Sequence, residues 1–417
     1  MPVSESHSSD RRAVVIILDG VGVGACADAG AYGDEGTNSL VNTARHVGGL
    51  RLPVLGRLGL GNIDRIEGVP GQEYPSASWG RMAERSPGKD STSGHWELMG
   101  CPLSEPFPTY PGGFPAEVIE SFERETGCTV LGNTPASGTE IIEELGPEHI
   151  RTGRPIVYTS ADSVFQIASH EDVLSVDGLY ELCRIARRIL VPPHHVARVI
   201  ARPFTGEPGG FVRTAGRRDF SLPPPEDTLL DELSRCGLRV VTVGKIHDLF
   251  ACRGIDEIIQ AAGNDEAMRL AAEAVRHAAP ASGNAEAMRL SAETVQRAAP
   301  FSFLFINLID FDMLWGHRRD VESYAGGLER FDAWLGDFME LLPEGTLLAI
   351  TSDHGCDPTH RGSDHTREYV PILAKRMGID RGIPLGTRSS FSDLAATLAE
   401  FFDLDWRVGE SFLDRLD

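Results

Sequence analysis

Four short stretches of the sequence gather acids and imidazoles in a pattern that could hold metal ions. They are Asp19 in LDG, DFDMLWGH over 310–317, SDHG over 352–355 and the SDH of 363–365. Together they supply the carboxylates Asp19, Asp312 and Asp353 and the imidazoles His317, His354 and His365. An Asp-His pair by itself is an ordinary solvated surface feature, so the weight lies in the number of these groups and their placement. Two sets of three oxygen and nitrogen ligands suit a pair of divalent ions such as Mn2+ or Zn2+, and suit Ca2+ poorly because calcium takes oxygen ligands. Two such ions in one crevice can clamp the attacking and leaving oxygens of a phosphoryl transfer.

That chemistry needs a nucleophile and a holder for phosphate. The loop SPGKDSTSGHWELMG (86–100) carries the consecutive hydroxyls Ser91, Thr92 and Ser93 just before a helical pattern. A hydroxyl and free backbone N–H groups at a helix N-terminus make a natural anion site. The same composition also makes a plain helix cap, and spacing alone favours neither reading. Arg202, Arg213, Arg217 and Arg218 supply guanidinium forks that can grip phosphate at two points, although an arginine taken singly is more often a solvated side chain.

These residues are far apart along the chain, so strands must bring them together. RAVVIILDG, RVVTVGK (239–245), SFLFINLID (302–310) and TLLAITSD (346–353) are each apolar until a polar residue at the carboxyl end: Asp19, Lys245, Asp310 and Asp353. Continuous apolar runs rich in Val and Ile suit strands buried on both faces of a parallel sheet, and ligands bind beyond the carboxyl ends of such strands. The pattern predicts a doubly wound α/β core. Proline clusters at 101–115 and 222–227 bracket a segment with its own strand-like and helical runs. The core is therefore expected from 1–102 and 223–417, with 103–222 an inserted α/β cap.

The chain has 417 residues, 41% of them hydrophobic, which fits a folded protein of two or three domains. Lys and Arg number 39 against 61 Asp and Glu, and the resulting charge of −22 argues against nucleic acid or an anionic membrane surface as partner. Seven scattered cysteines without a C-x-x-C pair, and no apolar run of membrane-spanning length, lead us to expect a cytoplasmic protein. Residues 1–12 read as a flexible start. Residues 261–280 and 281–300 are a tandem duplication with 14 identities in 20 positions, each copy reading as an Ala-rich helix between an Asn start and a Pro stop.

In order along the chain, DGVGVGACADAGAYGDEGTNSL, GKDSTSGHWELMG, NTPASGTEIIEELG, VYTSADSVFQIASHE, ARPFTGEPGGFVRT, DFDMLWGHRRD and DHTREYVPILA resemble the phosphopentomutases of the alkaline phosphatase superfamily. The resemblance spans about 13–416 apart from the repeat. It implies an alkaline-phosphatase-like core with an inserted cap, one Mn2+ held by Asp19, Asp353 and His354, and another by Asp312, His317 and His365. It implies interconversion of ribose or deoxyribose 1-phosphate with the 5-phosphate, on an enzyme phosphorylated beforehand by glucose 1,6-bisphosphate or a ribose bisphosphate. The family's phosphorylated Thr aligns with Ser91, which keeps the hydroxyl and drops a methyl, and Thr92 is a neighbouring competitor. Cys356 stands where many relatives have Asn, and reads as a core thiol. By the same resemblance, Asp162 and Ser163 face the ribose hydroxyls, and Arg202, Arg213, Arg217 and Lys245 the distal phosphate. The metal set alone also suits a phosphomonoester hydrolase or a cofactor-independent phosphoglycerate mutase; a metal-binding scaffold without turnover is a further alternative. The sequence sets no oligomeric state, and a monomer is compatible with it.

If 281–300 only repeats 261–280, deleting it should leave kcat nearly unchanged. A large loss of activity in a folded deletion variant would show instead that the copy has been recruited to function.

Overall fold

The computed structural model describes residues 11–160, 162–278 and 301–417. The first ten residues of the expected flexible start and the second unit of the repeat lie outside the described residues. The first unit forms the helix Asn264–Ala278, which opens at the Asn read as its start.

In chain order the strands are β1 (Ala13–Leu18), β2 (Ser78–Met82), β3 (Leu131–Pro135), β4 (Ile156–Thr159), β5 (Val164–His170), β6 (Arg198–Thr205) and β7 (Val212–Arg213). They continue as β8 (Arg218–Ser221), β9 (Val240–Val243), β10 (Glu257–Ile259), β11 (Phe303–Leu308), β12 (Leu347–Thr351), β13 (Val370–Arg376) and β14 (Pro384–Arg388). The chain forms two compact units, one of residues 1–104, 224–247 and 252–417, the other of 105–223 and 248–251.

The first unit is built on a sheet ordered β10-β9-β11-β1-β12-β13-β2-β14. Every residue of β1 (AVVIIL), β11 (FLFINL) and β12 (LLAIT) is buried, as runs without polar alternation require. β1 lies parallel between β11 and β12, with Leu18 level with Leu308 and Ile17 with Thr351. That register brings the carboxyl ends of three distant segments to one edge of the sheet. β13 runs antiparallel to both β12 and β2, so the sheet is mixed. Antiparallel neighbours can be joined by a loop without a crossover helix, and the β12–β13 loop carries both the SDHG and the SDH motifs.

The helix Val321–Leu341 covers this sheet with Tyr324, Leu328, Phe331, Leu335 and Phe338, all buried at helical spacing. The Tyr324 hydroxyl donates to the Gly20 carbonyl at 2.9 Å, fixing the turn after β1. The second unit has its own sheet, β3-β4-β5-β6-β7 with β8 paired to β6. A core around Phe114, Phe122, Phe165 and Leu179 lies beneath the helix Val176–Ile189, giving that unit an α/β character independent of the first.

One buried acid knits the first unit around the β12–β13 loop. Glu368 accepts from Gly24 N at 3.3 Å, Ser39 N at 2.8 Å, Ser39 Oγ at 2.9 Å and Thr366 Oγ1 at 2.7 Å. Burial nevertheless raises its pKa from 4.5 to about 7. An acid raised in this way holds its proton more tightly folded than unfolded, so its contribution to stability is full below pH 4.5 and is lost as pH rises to about 7. Between those limits this group should cost the chain up to about 3 kcal/mol. Thermal melts across that range should show a flatter slope for Glu368→Gln than for the wild type; equal slopes would remove Glu368 as the source.

Candidate active site

Asp19 leaves the end of β1 directly, and Asp353 and His354 follow β12. Asp312 sits in the π-helical turn Phe311–Gly316 after β11, which His317 terminates. Asp19, Asp312, Asp353, His354 and His365 are all buried. Asp19 Oδ1 and Asp353 Oδ2 each lie 3.4 Å from His354 Nε2. Asp312 Oδ1 lies 3.3 Å from His317 Nε2 and 3.2 Å from His365 Nε2.

The remaining atoms of these groups are tied back. Asp19 Oδ2 accepts from Asn307 Nδ2 at 2.9 Å and Asp353 Oδ1 from Gly20 N at 3.2 Å. Nδ1 of His354 faces the Gly355 carbonyl at 3.0 Å, and Nδ1 of His317 faces the Ser363 carbonyl at 2.7 Å. A ring nitrogen facing a carbonyl carries the proton, so in the neutral ring Nε2 bears the lone pair. Among the described residues, Asp19 Oδ1, Asp353 Oδ2, Asp312 Oδ1 and His365 Nε2 are buried without a hydrogen bond of ordinary geometry, approached only by ring nitrogens and carboxylate oxygens of the cluster. Buried polar atoms are otherwise almost always satisfied, and this oxygen and imidazole set fits divalent ions.

Ligand atoms of Asp19, Asp353 and His354 lie within 4.8 Å of one another, as do those of Asp312, His354 and His365 and those of Asp312, His317 and Cys356. The Cys356 thiol, read from sequence as a core residue, is buried and also borders the candidate ligands. Burial pushes Asp19 up, reinforced by Asp353. At Asp312 burial is outweighed by His317 and His365, which hold the carboxyl well below its ordinary range. At His354 burial opposes the charge, yet Asp353 and Asp19 hold the ring well above its ordinary value.

The three hydroxyls of the candidate nucleophile loop have separate fates. Asp90 caps the helix Ser91–Leu98, its Oδ1 accepting from Thr92 N at 3.0 Å and Ser93 N at 3.1 Å. Ser93 Oγ donates to Glu84 Oε1 at 3.1 Å, and Thr92 is buried. Ser91 Oγ lies 3.1 Å from His354 Nε2. The helix can come this close because a Cβ on Gly94 would stand 2.1 Å from the Asp353 carbonyl oxygen, a distance only glycine permits.

Sequence reasoning missed the groups that hold this geometry. His95, one helical turn after Ser91, is fully buried with Nδ1 2.9 Å from the Ser91 carbonyl and 3.0 Å from Asp353 Oδ2. Burial opposes its charge, but Asp353 raises its pKa. Glu97 accepts from Arg85 N, Ser86 N, Ser86 Oγ, Ser390 Oγ and Phe391 N. Arg367 reaches Glu84 at 2.7 Å, Asp28 at 3.0 Å and the carbonyls of Ser86 and Gly88, and Lys89 Nζ lies 3.0 Å from Asp34 and 3.2 Å from Asp364. The i, i+4 relation of Ser91 and His95 was the one signal available in the sequence.

Other expected residues are engaged elsewhere. Asp310, expected to converge on the site, instead accepts from Asn264 N at 2.7 Å while its own N–H donates to Asn264 Oδ1 at 2.9 Å, so it caps the helix Asn264–Ala278. Lys245, in the first unit, donates to Met313 Sδ at 3.3 Å. In the second unit Asp162 pairs with Arg198 at 3.6 Å. Ser163 Oγ donates to the Pro108 carbonyl at 2.6 Å and accepts from Ala197 N at 3.3 Å, bonds that hold that unit together. Arg202 donates to Gln166, and Arg217 makes a two-point pair with Asp219.

The family model described as the metalloenzyme superfamily matches residues 11–406. A phosphopentomutase of Dictyoglomus thermophilum is 52% identical over 98% of this chain and 99% of its own length. One of Anaeromyxobacter dehalogenans is 53% identical over 97% of both. A solved phosphoglycerate mutase of Leishmania mexicana aligns with 95% of this chain and 96% of its own, at 12% identity and a TM-score of 0.43.

Arg367→Met would leave the buried Glu84 carboxylate and Asp28 without their cation, and should destabilise the chain by about 3–5 kcal/mol in urea unfolding. A loss below about 1 kcal/mol would mean that the pairs behave as solvated ones.

Proposed function

The chain belongs to the phosphopentomutases of the metalloenzyme superfamily, and on that premise we propose that it moves phosphoryl groups through a phosphorylated Ser91 beside two divalent metals. The enzyme is an isomerase acting on small sugar phosphates, by transfer of phosphate within the pentose. Among the described residues no helix is long and apolar enough to cross a membrane.

The observation that carries the proposal is the meeting of buried carboxylate oxygens that lack a hydrogen bond of ordinary geometry with one hydroxyl: Asp19 Oδ1 and Asp353 Oδ2 face the same His354 Nε2 that lies 3.1 Å from Ser91 Oγ. Asp19, Asp353 and His354 would hold one ion, and Asp312, His317 and His365 the other. Bound there, two divalent ions, Mn2+ by the family resemblance, would supply positive charge beside the Ser91 oxygen and the phosphoryl group.

The residues of the chain do the rest. The Ser91 oxygen bonds to phosphorus as a sugar bisphosphate releases its phosphoryl group, and the bisphosphate leaves as a monophosphate. A hydroxyl of the bound pentose monophosphate then takes the group from Ser91, forming a pentose bisphosphate. After this turns in the site, Ser91 accepts the other phosphate, and the net change is the movement of one phosphate between C1 and C5. His95 fixes the Ser91 backbone against Asp353, and the Asp90 cap leaves Ser91 at the first helical position, where the helix N-terminus favours an anion. Arg202, Arg213, Arg217 and Lys245 are proposed for the distal phosphate and Asp162 for the ribose hydroxyls; Ser163 is left out because its hydroxyl already bonds within its unit.

Incubation with glucose 1,6-bisphosphate and Mn2+ followed by peptide mass spectrometry should place phosphate on Ser91. Ser91→Ala should abolish it and Ser91→Thr should retain it, while ribose 5-phosphate formation exceeds release of free phosphate. Phosphate on Thr92 would shift the nucleophile by one residue. An active enzyme carrying none would overturn the phosphoenzyme route.

A further inference from the structure

The backbone around Cys356 fixes where its sulfur can go. Gly355 and Thr366 exchange backbone hydrogen bonds at 3.1 and 2.7 Å, Asp357 N donates to Thr366 Oγ1 at 3.2 Å, and Cys356 N donates to Ser39 Oγ at 3.2 Å. Held on both sides, the residue cannot slide along the β12–β13 loop. Its side chain, 1% exposed, lies against two glycines that adjoin candidate ligands. A Cβ on Gly316, next to His317, would stand 2.5 Å from Sγ, and one on Gly20, next to Asp19, would stand 2.9 Å from the Cys356 Cβ. Only residues without a side chain let the thiol sit this close to both turns.

Sγ, a carboxylate oxygen of Asp312 and a ring nitrogen of His317 all lie within 4.8 Å of one another. Among the described residues no other cysteine belongs to such a group, although Cys26, Cys101 and Cys183 are also buried. The strongest charges acting on this sulfur are the carboxylates of Asp312, Glu368 and Asp19, with Asp312 first. An ordinary core thiol behaves as a small hydrophobe and packs among apolar groups. Asp312 Oδ1 is buried without a hydrogen bond of ordinary geometry, and His317 turns Nδ1 to the Ser363 carbonyl and Nε2 to Asp312. Ligand atoms about 2.0–2.3 Å from one tetrahedral ion stand roughly 3.3–3.6 Å from each other. Asp312 Oδ1 and His317 Nε2, at 3.3 Å, already have that spacing, and the sulfur borders both.

We propose that Cys356 is a ligand of the ion held by Asp312, His317 and His365, bound as the thiolate, and that it widens the preference of this seat for Zn2+ and Co2+ over Mn2+. The proposal rests on the two-metal reading and goes beyond it by adding a ligand and a metal preference. As the ion binds, the S–H bond breaks, a sulfur lone pair forms the bond to the metal and the proton leaves to solvent. Thiolate is a soft ligand, whereas the seat of Asp19, Asp353 and His354 offers only oxygen and nitrogen. The two seats therefore differ in kind. The Asn that many relatives carry at this position would offer an amide oxygen and remove the difference.

The full-length chain, freed of metal by chelation and loaded with two equivalents of Co2+, should show a sulfur-to-cobalt charge-transfer band in the near ultraviolet. Cys356→Ser should lose the band. In competition titrations the same variant should bind Zn2+ at this seat about tenfold or more weakly while its Mn2+ affinity changes far less. Retained Mn2+ binding also shows that the variant is folded; if it is not, the wild-type spectrum decides alone. Two bound Co2+ ions without the band, or a band that persists in Cys356→Ser, would overturn Cys356 as a ligand and leave the two-metal reading standing. Equal losses of Zn2+ and Mn2+ affinity would overturn the preference. A wild-type chain that takes up fewer than two ions would overturn the two-metal reading, and this proposal with it.

Discussion

Carboxylates buried side by side at the edge of a sheet repel one another, and burial strips each of the water that would screen it. Asp19, Asp312 and Asp353 are in that position because β1, β11 and β12 lie parallel and in register, so their ends cannot spread apart without breaking the centre of the sheet. The surroundings compensate one atom at a time. Asn307 and Gly20 donate to one oxygen of Asp19 and of Asp353, and the imidazoles face the oxygens left over. The result is two small volumes of concentrated negative charge in a rigid frame, able to hold cations and unable to relax when they are bound.

The Ser91 hydroxyl is held beside those volumes by a second layer of charge. Glu97 gathers the backbone of Arg85 and Ser86 together with the start of the helix Ser392–Phe401, and Arg367 clasps Glu84 and two carbonyls of the same loop. Arg367 lies two residues after His365, so the segment that presents one candidate ligand also clamps the loop that presents Ser91. Displacing either would displace the other. This is how a surface-like loop of small residues can place one hydroxyl with little freedom.

The sheet and its polar edge were legible because a strand buried on both faces leaves an unbroken apolar run, and the first hydrophilic residue after it marks the edge. Where the chain leaves a strand by a helical turn, that marker fails. DFDMLWGH offers two acids, and only the phase of the turn after Leu308 sends Asp312 inward and commits Asp310 to the cap of the helix Asn264–Ala278. His95, Glu97 and Arg367 were illegible for a different reason. Each looks in the sequence like a common charged or polar residue, and its partners are set by tertiary contacts across as many as 339 positions. The antiparallel β13 likewise follows from the fold, since an apolar run does not carry a direction.

The span of the Arg367 contacts also bears on how the enzyme comes into being. Its partners at Asp28 and Gly88 are made 339 and 279 residues earlier than the arginine itself. At ribosomal speeds of about 5–20 residues per second, the loop that bears Ser91 waits roughly 15 to 70 s for its clamp. During that interval the nascent chain exposes Glu84 and Asp28 to solvent, and the hydroxyl of Ser91 has no neighbouring cluster to act with. Chemical competence therefore arrives abruptly, once residue 367 has been made, and a ribosome that stalls before it leaves a polypeptide most of whose sheet strands are present but whose phosphate chemistry has never been assembled.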